Sequence, residues 1–165
     1  MTYTPLVGRD ALLKYLISLL CSGTTCTLFG LPGVGKTALA LALVHDQAIC
    51  EHFSDGILWA SLGPSPDTYS SLLRWATLLG TPASTLAGYQ TTESLSLMLR
   101  QAIGQRRLLL VIDDVWTADE CIPFLVGGPH CAQLVTTRSP RLVLPKTQGW
   151  LREKRATAEV SPNPH

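Results

Sequence analysis

Charged residues are scarce in this sequence: they make up 15% of its 165 residues, and the formal net charge is +1. A chain with so little net charge has no overall attraction for nucleic acid or for an anionic membrane, so we expect direct binding to neither. The balance shifts near the end, where residues 138–165 hold six basic residues and two acidic ones. The length suits a single domain with a sizeable core.

Metal-binding and disulfide patterns are also missing. The five cysteines include no C-x-x-C pair, which disfavours a zinc site and a disulfide framework. We expect reduced thiols packed as small apolar side chains. No basic segment followed by an apolar one marks a signal peptide, and the apolar stretch Leu12–Leu20 is too short to span a bilayer. The expected location is the cytoplasm.

Apolar segments of strand length and of helix length alternate along most of the chain. This alternation predicts an α/β fold, with a parallel sheet and helices on both of its faces. The predicted strands are Thr24–Phe29, Gly56–Leu62, Leu108–Ile112 and Gln133–Thr136. An entry segment and a first helix are predicted within Leu6–Leu20, and the further predicted helices are Lys36–Val44, Tyr69–Leu79, Ser94–Ile103 and Asp119–Val126.

A glycine-rich loop joins the first predicted strand to the second predicted helix. Residues Gly30–Thr37 read G-L-P-G-V-G-K-T and match the P-loop pattern G-x-x-x-x-G-K-[ST], with the strand and the helix that the motif requires. Gly33 and Gly35 allow the backbone to wrap closely around phosphate oxygens with its N–H groups turned inward. Pro32 stiffens the loop by fixing one φ angle.

The end of the loop carries the groups that would meet a polyphosphate and its metal. Lys36 lies at a helix N-terminus, where the helix dipole and the unpaired N–H groups also favour an anion. Its ammonium group suits the β- and γ-phosphates, and the hydroxyl of Thr37 can bind Mg²⁺. The sequence therefore predicts that this chain binds the phosphates of a purine nucleoside diphosphate or triphosphate.

Two aspartates follow the most apolar predicted strand. Asp113 and Asp114 resemble a Walker B element, because a carboxylate at the carboxyl end of a buried parallel strand lies where such sheets bind ligands. Asp113 would hold Mg²⁺ directly or through water, and Asp114 would orient or deprotonate the attacking water. The alternative is that the two aspartates only form a structural turn. The P-loop upstream makes this alternative the weaker one.

The local sequence does not decide the role of several other residues. Arg138 ends the fourth strand, where it is either a surface residue or a sensor of the γ-phosphate. Asp10 suits the N-cap of the first helix. Trp59, Trp75 and Trp116 lie on or beside apolar segments and are predicted to be core residues, although Trp116 follows the aspartates closely enough to shield the site.

Four motifs stand in a fixed order: V-G-R at 7–9, the P-loop, L-L-L-V-I-D-D-V at 108–115, and L-V-T-T-R at 134–138. In this combination the chain resembles the NB-ARC group of STAND nucleotide switches, close to the bacterial members that regulate transcription or signalling. The segment 53–62 is similar to the second strand of those bacterial proteins. The resemblance covers residues 6–143.

The resemblance implies a three-layer P-loop NTPase sandwich of the ASCE type, in which the strand before Arg138 lies between the P-loop strand and the Walker B strand. It implies ADP or ATP and Mg²⁺ as ligands, slow turnover, and a latch in which ADP holds a closed state and ATP an open one. Arg9 would lie near the adenine or the ribose, and Arg138 would be the first sensor. No N/T-K-x-D motif for guanine occurs, which favours adenine.

The predicted site residues share a place in one of these motifs. Nucleotide contacts are predicted at Arg9, Gly30, Pro32, Gly33, Val34, Gly35, Lys36, Thr37, Ala38 and Arg138, metal ligands at Thr37 and Asp113, and catalytic roles at Lys36 and Asp114.

The family pattern is not recognisable beyond the first sensor strand. Members of the family continue into another strand, a small helical domain and a winged helix. We therefore expect an entry segment with a helix (1–23), a partial nucleotide-binding core without its last strand (24–144), and a disordered tail (145–165). Truncation, a frame shift, or origin as a fragment would explain this. Effector or sensor domains would then flank the core in a longer parent protein, which could oligomerise.

Three functions stay open at this point. The leading one is a nucleotide-dependent signalling or regulatory switch, or a truncated remnant of one. An ordinary P-loop ATPase or small-molecule kinase is the second, and an inert product is the third. A kinase needs a basic lid, yet Arg74 and Arg100 are the main basic residues between positions 53 and 105. At most we expect a slow Mg²⁺-dependent ATPase, because Asp114 is shorter than the Glu of fast ATPases in this class.

Overall fold

The computed structural model describes residues 9–31, 33, 35–142, 144 and 155–160. The strands in this part of the chain are β1 (Thr25–Phe29), β2 (Gly56–Ser61), β3 (Leu108–Val115), β4 (Ala132–Thr137) and β5 (Arg155–Glu159). The helices are α1 (Asp10–Cys21), α2 (Lys36–Val44), α3 (Gln47–His52), α4 (Thr68–Leu78), α5 (Ala83–Leu86), α6 (Thr92–Ile103) and α7 (Ala118–Cys121). A 3₁₀ turn at Ile122–Phe124 follows α7.

The five strands form one parallel sheet in the order β2-β3-β4-β1-β5. Parallel neighbours need a crossover on a face of the sheet, and helices between the strands provide it. The order confirms that β4 lies between β1 and β3, as the resemblance implied. The carboxyl ends of these three adjacent strands therefore meet at one edge of the sheet.

The buried residues of β3 divide between the two faces of the sheet. Leu108, Leu110 and Ile112 pack in one apolar cluster, and Leu109 and Val111 pack in the other. The first cluster includes the apolar sides of α4, α5 and α6, and the second includes those of α1, α2 and α3. Because both faces are covered, the strand is apolar throughout, as expected for a parallel sheet. The three-layer α/β sandwich predicted from the sequence is confirmed.

The helices differ from the predictions in four places. Asp10 is the first residue of α1 and not its N-cap, since Arg9 holds that position without a side-chain cap. The predicted helix over 119–126 is split into α7 and the 3₁₀ turn, where Pro123 lies at the start of the turn. Two short helices, α3 and α5, were not predicted. α3 begins where the carboxylate of Asp46 accepts from the N–H groups of Ala48 and Ile49.

β5 corrects the expectation that the sheet lacks its last strand. It pairs with β1 over all five residues, and the N–H of Val160 extends the pairing by donating to the carbonyl of Phe29 at 2.7 Å. The predicted disorder over 145–165 is therefore wrong for 155–160, and the other residues of that segment lie outside the described ones.

Local sequence gave little sign of this strand. Ala156 and Ala158 are half-buried and Val160 is buried, while Thr157 and Glu159 are exposed. This alternation is that of a half-buried strand, but two alanines bury little apolar area and the two residues before Ala156 are basic. The strand forms because β1 otherwise presents an unpaired edge, which is a tertiary cause.

Cysteine chemistry follows the prediction. All five cysteines are free, and three of them are buried. Burial raises the pKa of the Cys26 and Cys121 thiols to about 12, so both stay protonated at neutral pH. Among the described residues, no helix has the length and apolar character needed to cross a membrane.

We expect a chain ending at residue 154 to be less stable than one ending at Val160. The shorter chain loses β5 and the buried side chain of Val160, whose burial alone contributes about 2 kcal/mol. For a domain of this size that corresponds to roughly 4–8 °C in thermal midpoint. Thermal unfolding of both chains measures the difference, and equal midpoints would show that β5 adds nothing to the fold.

Candidate functional site

A cleft of about 370 Å³ opens at the carboxyl ends of β1, β3 and β4. Among the described residues, eight of the predicted site residues line it, together with Thr136. The lining residues are Gly33, Gly35, Lys36, Thr37, Ala38, Asp113, Asp114, Thr136 and Arg138. Of the remaining predicted residues, Gly30 and Arg9 lie outside the lining, and Pro32 and Val34 are not among the described residues.

The glycine-rich loop reaches the cleft through left-handed backbone at two positions. Gly33 has a φ of +82° and Gly35 a φ of +93°. Residues with a side chain rarely adopt such angles, so the loop needs glycine at both positions. Gly35 is also the N-cap of α2, and its carbonyl accepts the N–H of Leu39 at 2.8 Å. The N-terminus of α2, with its partial positive charge, therefore faces the cleft.

Arg9 lies against this loop and does not line the cleft. A Cβ at Gly35 would stand 2.9 Å from Nη1 of Arg9, so the guanidinium fills the space that a side chain there would need. Arg9 is buried, with 8% of its surface exposed. A contact of Arg9 with adenine or ribose stays a prediction.

Lys36 is held close to the loop that precedes it. Its Nζ donates to the carbonyl of Gly30 at 2.6 Å and to that of Leu31 at 3.1 Å. Partial burial lowers the pKa of Lys36 from its ordinary value of 10.5, and the positive charge of Arg138 lowers it further. The charges of Asp113 and Asp114 act in the opposite direction. The cleft thus holds two cations that repel each other, which favours an anionic ligand between them.

Thr37 and Asp113 form the part of the cleft that suits a metal ion. The hydroxyl of Thr37 lies 3.2 Å and 3.3 Å from the two carboxylate oxygens of Asp113. Mg²⁺ prefers oxygen ligands and is usually bound through one or two protein groups together with phosphates and waters. Within the described part of the chain, no three His, Cys, Asp or Glu residues surround a common point. The donor set therefore fits Mg²⁺ that arrives with a phosphate, and not a metal bound by protein alone.

Asp114 has an unusual backbone conformation. Its φ is +56°, the one positive value at a non-glycine among the described residues. Its N–H donates to Oγ1 of Thr136 at 2.9 Å, and its carbonyl accepts the N–H of Gly63 at 3.0 Å. Such a conformation is unfavourable by about 1–3 kcal/mol and persists only when its surroundings hold it. The hydrogen bonds to Thr136 on β4 and to Gly63 after β2 provide that support.

Arg138 stacks on Trp116 beside the cleft. The guanidinium carbon lies 4.3 Å from the centre of the indole ring, within the range of a cation–π contact. Trp116 is 39% exposed, so its predicted place in the core is wrong, whereas Trp75 is fully buried as predicted. Stacking uses the face of the guanidinium and leaves its N–H edge available for hydrogen bonds.

Thr136 lines the cleft but was not among the site residues predicted from the sequence. It is 1% exposed and bonds to both aspartates. The available signal was a pair of hydroxyl residues, Thr136 and Thr137, at the end of an otherwise apolar strand. That signal does not distinguish which hydroxyl faces the cleft, because the answer depends on the register of β4 against β3.

Comparison with known proteins assigns a family to this arrangement. The family model "NB-ARC domain" matches residues 9–148. The regulatory protein AfsR of Streptomyces griseus is 32% identical in an alignment of 149 residues, and the match covers 83% of this chain and 15% of AfsR. Apoptotic protease-activating factor 1 of Rattus norvegicus is 32% identical over 151 residues, covering 78% of this chain and 11% of that protein.

A plant protein is similar in sequence, and a solved structure is similar in fold. The disease resistance protein RGA2 of Solanum bulbocastanum is 30% identical and covers 79% of this chain and 14% of its own length. The crystal structure of a STAND protein with a tetratricopeptide repeat sensor, from Pyrococcus horikoshii, matches with a TM-score of 0.58. It is 18% identical and covers 94% of this chain and 23% of that one, which supports the fold. The chain spans 15% or less of the length of these three curated relatives.

We expect Lys36→Ala to weaken nucleotide binding, with Mg·ADP as the probe, by at least about tenfold, because hydrogen bonds from a charged group contribute about 1.5–3 kcal/mol. Calorimetric titration of the variant and the wild type measures the change. Lys14→Ala is the matched control, since Lys14 is exposed on α1 and does not line the cleft. Equal affinities for wild type and Lys36→Ala would show that Lys36 does not contribute to nucleotide binding.

Proposed function

The chain belongs to the NB-ARC domain family, and from that premise we propose that it binds ADP or ATP with Mg²⁺ as a nucleotide-dependent signalling or regulatory switch. The observation that carries the proposal is the convergence of Lys36, Asp113 and Arg138 on one cleft at the N-terminus of α2. Lys36 offers a cation for the phosphates, Asp113 offers a carboxylate for the metal, and Arg138 offers a second cation.

Each group has a distinct part in the proposed site. Lys36 and the first turn of α2 would hold the β-phosphate. Thr37 and Asp113 would hold Mg²⁺, which neutralises phosphate charge when it is bound. Arg138 would meet the γ-phosphate, because its N–H edge stays available while Trp116 covers its face. A triphosphate would then differ from a diphosphate mainly in its contact with Arg138.

The relatives favour regulation over metabolism. Their names describe a regulatory protein, a disease resistance protein and a protease-activating factor. Effector or sensor domains would flank this module in a longer parent protein, which could oligomerise. Five free thiols suit the reducing cytoplasm as its location. The low net charge supports the absence of direct nucleic-acid or membrane binding.

The small-molecule kinase is the weaker alternative. Such an enzyme needs basic groups that close over the phosphates and an acceptor site. Nη2 of Arg100 donates to the carbonyl of Leu125 at 3.1 Å, and Arg74 is exposed on α4. Neither residue lines the cleft. Acceptor-dependent phosphoryl transfer would support the kinase, and tight ADP retention with little turnover would support the switch.

We expect Asp114→Asn to leave ATP binding within about twofold of the wild type and to reduce the slow hydrolysis. An amide cannot accept the proton of the attacking water, and Asn tolerates the left-handed backbone of this position, so the fold should be retained. Affinity is measured by titration in Mg²⁺, and hydrolysis by phosphate release in a single turnover. Unchanged hydrolysis would show that Asp114 is not the base.

A further inference from the structure

We propose that Thr136 is the positioning residue that fixes both aspartates of the cleft and thereby sets how strongly triphosphate binding depends on Mg²⁺. This inference rests on the proposed function, since it concerns the metal that would accompany the nucleotide. Thr136 would touch neither the nucleotide nor the metal and would act through Asp113 and Asp114.

A β-bulge brings the three residues together. β3 and β4 pair regularly up to Ile112 and Val135, and the pairing resumes with Val115 opposite Thr137. Between these pairs, Asp113 and Asp114 on β3 face Thr136 alone on β4. A bulge leaves part of the ladder without its usual partner and turns the extra residue in a new direction. Two adjacent carboxylates can therefore both approach the cleft, which a regular strand would forbid because successive side chains alternate.

The hydroxyl of Thr136 completes the hydrogen bonding that the bulge disrupts. Its Oγ1 donates to Oδ1 of Asp113 at 2.5 Å and accepts the N–H of Asp114 at 2.9 Å. The assignment is unambiguous, because a backbone N–H can only donate and an ionised carboxylate can only accept. Thr136 thus uses its single proton on one aspartate and a lone pair on the other.

The effect on Asp113 is to orient its carboxylate. Asp113 is buried with 5% of its surface exposed, and the Thr37 hydroxyl approaches both of its oxygens. With Oδ1 fixed by Thr136, the plane of the carboxylate is set relative to Thr37. Mg²⁺ demands near-ideal octahedral geometry, so its affinity is sensitive to the placement of the few protein oxygens that it uses.

The effect on Asp114 is to hold its strained backbone. Thr136 fixes the N–H of Asp114, and Gly63 fixes its carbonyl from the other side at 3.0 Å. The side chain of Asp114 lines the cleft in this conformation. One hydroxyl on β4, the strand that Arg138 follows, therefore couples the proposed metal ligand to the proposed water-orienting carboxylate.

The test measures how much Mg²⁺ strengthens the binding of a non-hydrolysable ATP analogue to the wild type and to variants. For each protein, the dissociation constant in excess EDTA is divided by the dissociation constant in Mg²⁺, and this quotient is called the Mg²⁺ ratio. Thr136→Val keeps the shape of the side chain and removes the hydroxyl. We expect it to reduce this ratio by roughly tenfold, the size of a lost hydrogen bond to a charged group, while the affinity in EDTA changes little. Thr136→Ser keeps the hydroxyl and should restore most of the ratio.

Thr137→Val is the matched control for a merely structural effect. Thr137 is fully buried next to Thr136, and its hydroxyl donates to the carbonyl of Val115 at 2.7 Å, away from the cleft lining. We expect this variant to lower the thermal midpoint and to leave the Mg²⁺ ratio unchanged. A loss of the ratio in Thr137→Val equal to that in Thr136→Val would overturn the proposal, because strand stability would then explain both.

The other outcomes are also decisive. An unchanged ratio in Thr136→Val, or a wild type that binds the analogue equally well with and without Mg²⁺, overturns the role of Thr136 and leaves nucleotide binding intact. If Thr136→Val does not fold, Thr136→Ala removes the same hydroxyl with a smaller side chain and carries the same expectation. A folded wild type that binds neither ADP nor the analogue overturns the proposed function itself.

Discussion

The site depends on one constraint, the parallel arrangement of β1, β4 and β3 as adjacent strands. Parallel neighbours end at the same edge of a sheet, so the loop after β1, the aspartates of β3 and the end of β4 meet there. Residues 30–37, 113–114 and 136–138 are far apart in sequence, and no local interaction would bring them together. The apolar clusters on both faces of the sheet hold the strands in this order, so burial in the core positions the charged residues of the cleft.

Electrostatics within the cleft follow from this convergence. Burial lowers the pKa of Lys36 and the positive charge of Arg138 lowers it further, while the charges of Asp113 and Asp114 raise it. Because these positive and negative charges lie close together, a bound anion or cation changes the electrostatic balance of the cleft. On the proposed function, a diphosphate would offset the charge of Lys36, and a third phosphate with Mg²⁺ would also engage Arg138 and Asp113. The same cleft could then distinguish the two nucleotides without a change of fold.

Sequence alone predicted the parts of the molecule that depend on local pattern. The P-loop and the four strands β1 to β4 could be located because glycine spacing and continuous apolar runs are local signals. The position of β4 between β1 and β3 came from the family resemblance and not from periodicity. β5 was missed because its two alanines carry little apolar signal and its pairing is specified by the open edge of β1.

Within the cleft, the residues that escaped prediction depend on tertiary register. Thr136 faces both aspartates only because β3 bulges at that point, and a bulge cannot be read from either strand alone. Trp116 looked like a core residue beside an apolar run, but the strand ends just before it and its ring lies against Arg138. For Thr136 and for Trp116, the sequence shows the residue type but does not show which side chain it contacts in the fold.

The central claim is that the cleft between the glycine-rich loop and the two aspartates holds an adenine nucleotide. The most direct measurement is to purify the protein without added nucleotide, denature it, and identify by chromatography any nucleotide that is released. The account predicts stoichiometric ADP or ATP, or, for protein purified empty, uptake of Mg·ADP in preference to Mg·GDP. Folded protein that releases no nucleotide and shows no heat of binding with Mg·ADP would contradict it.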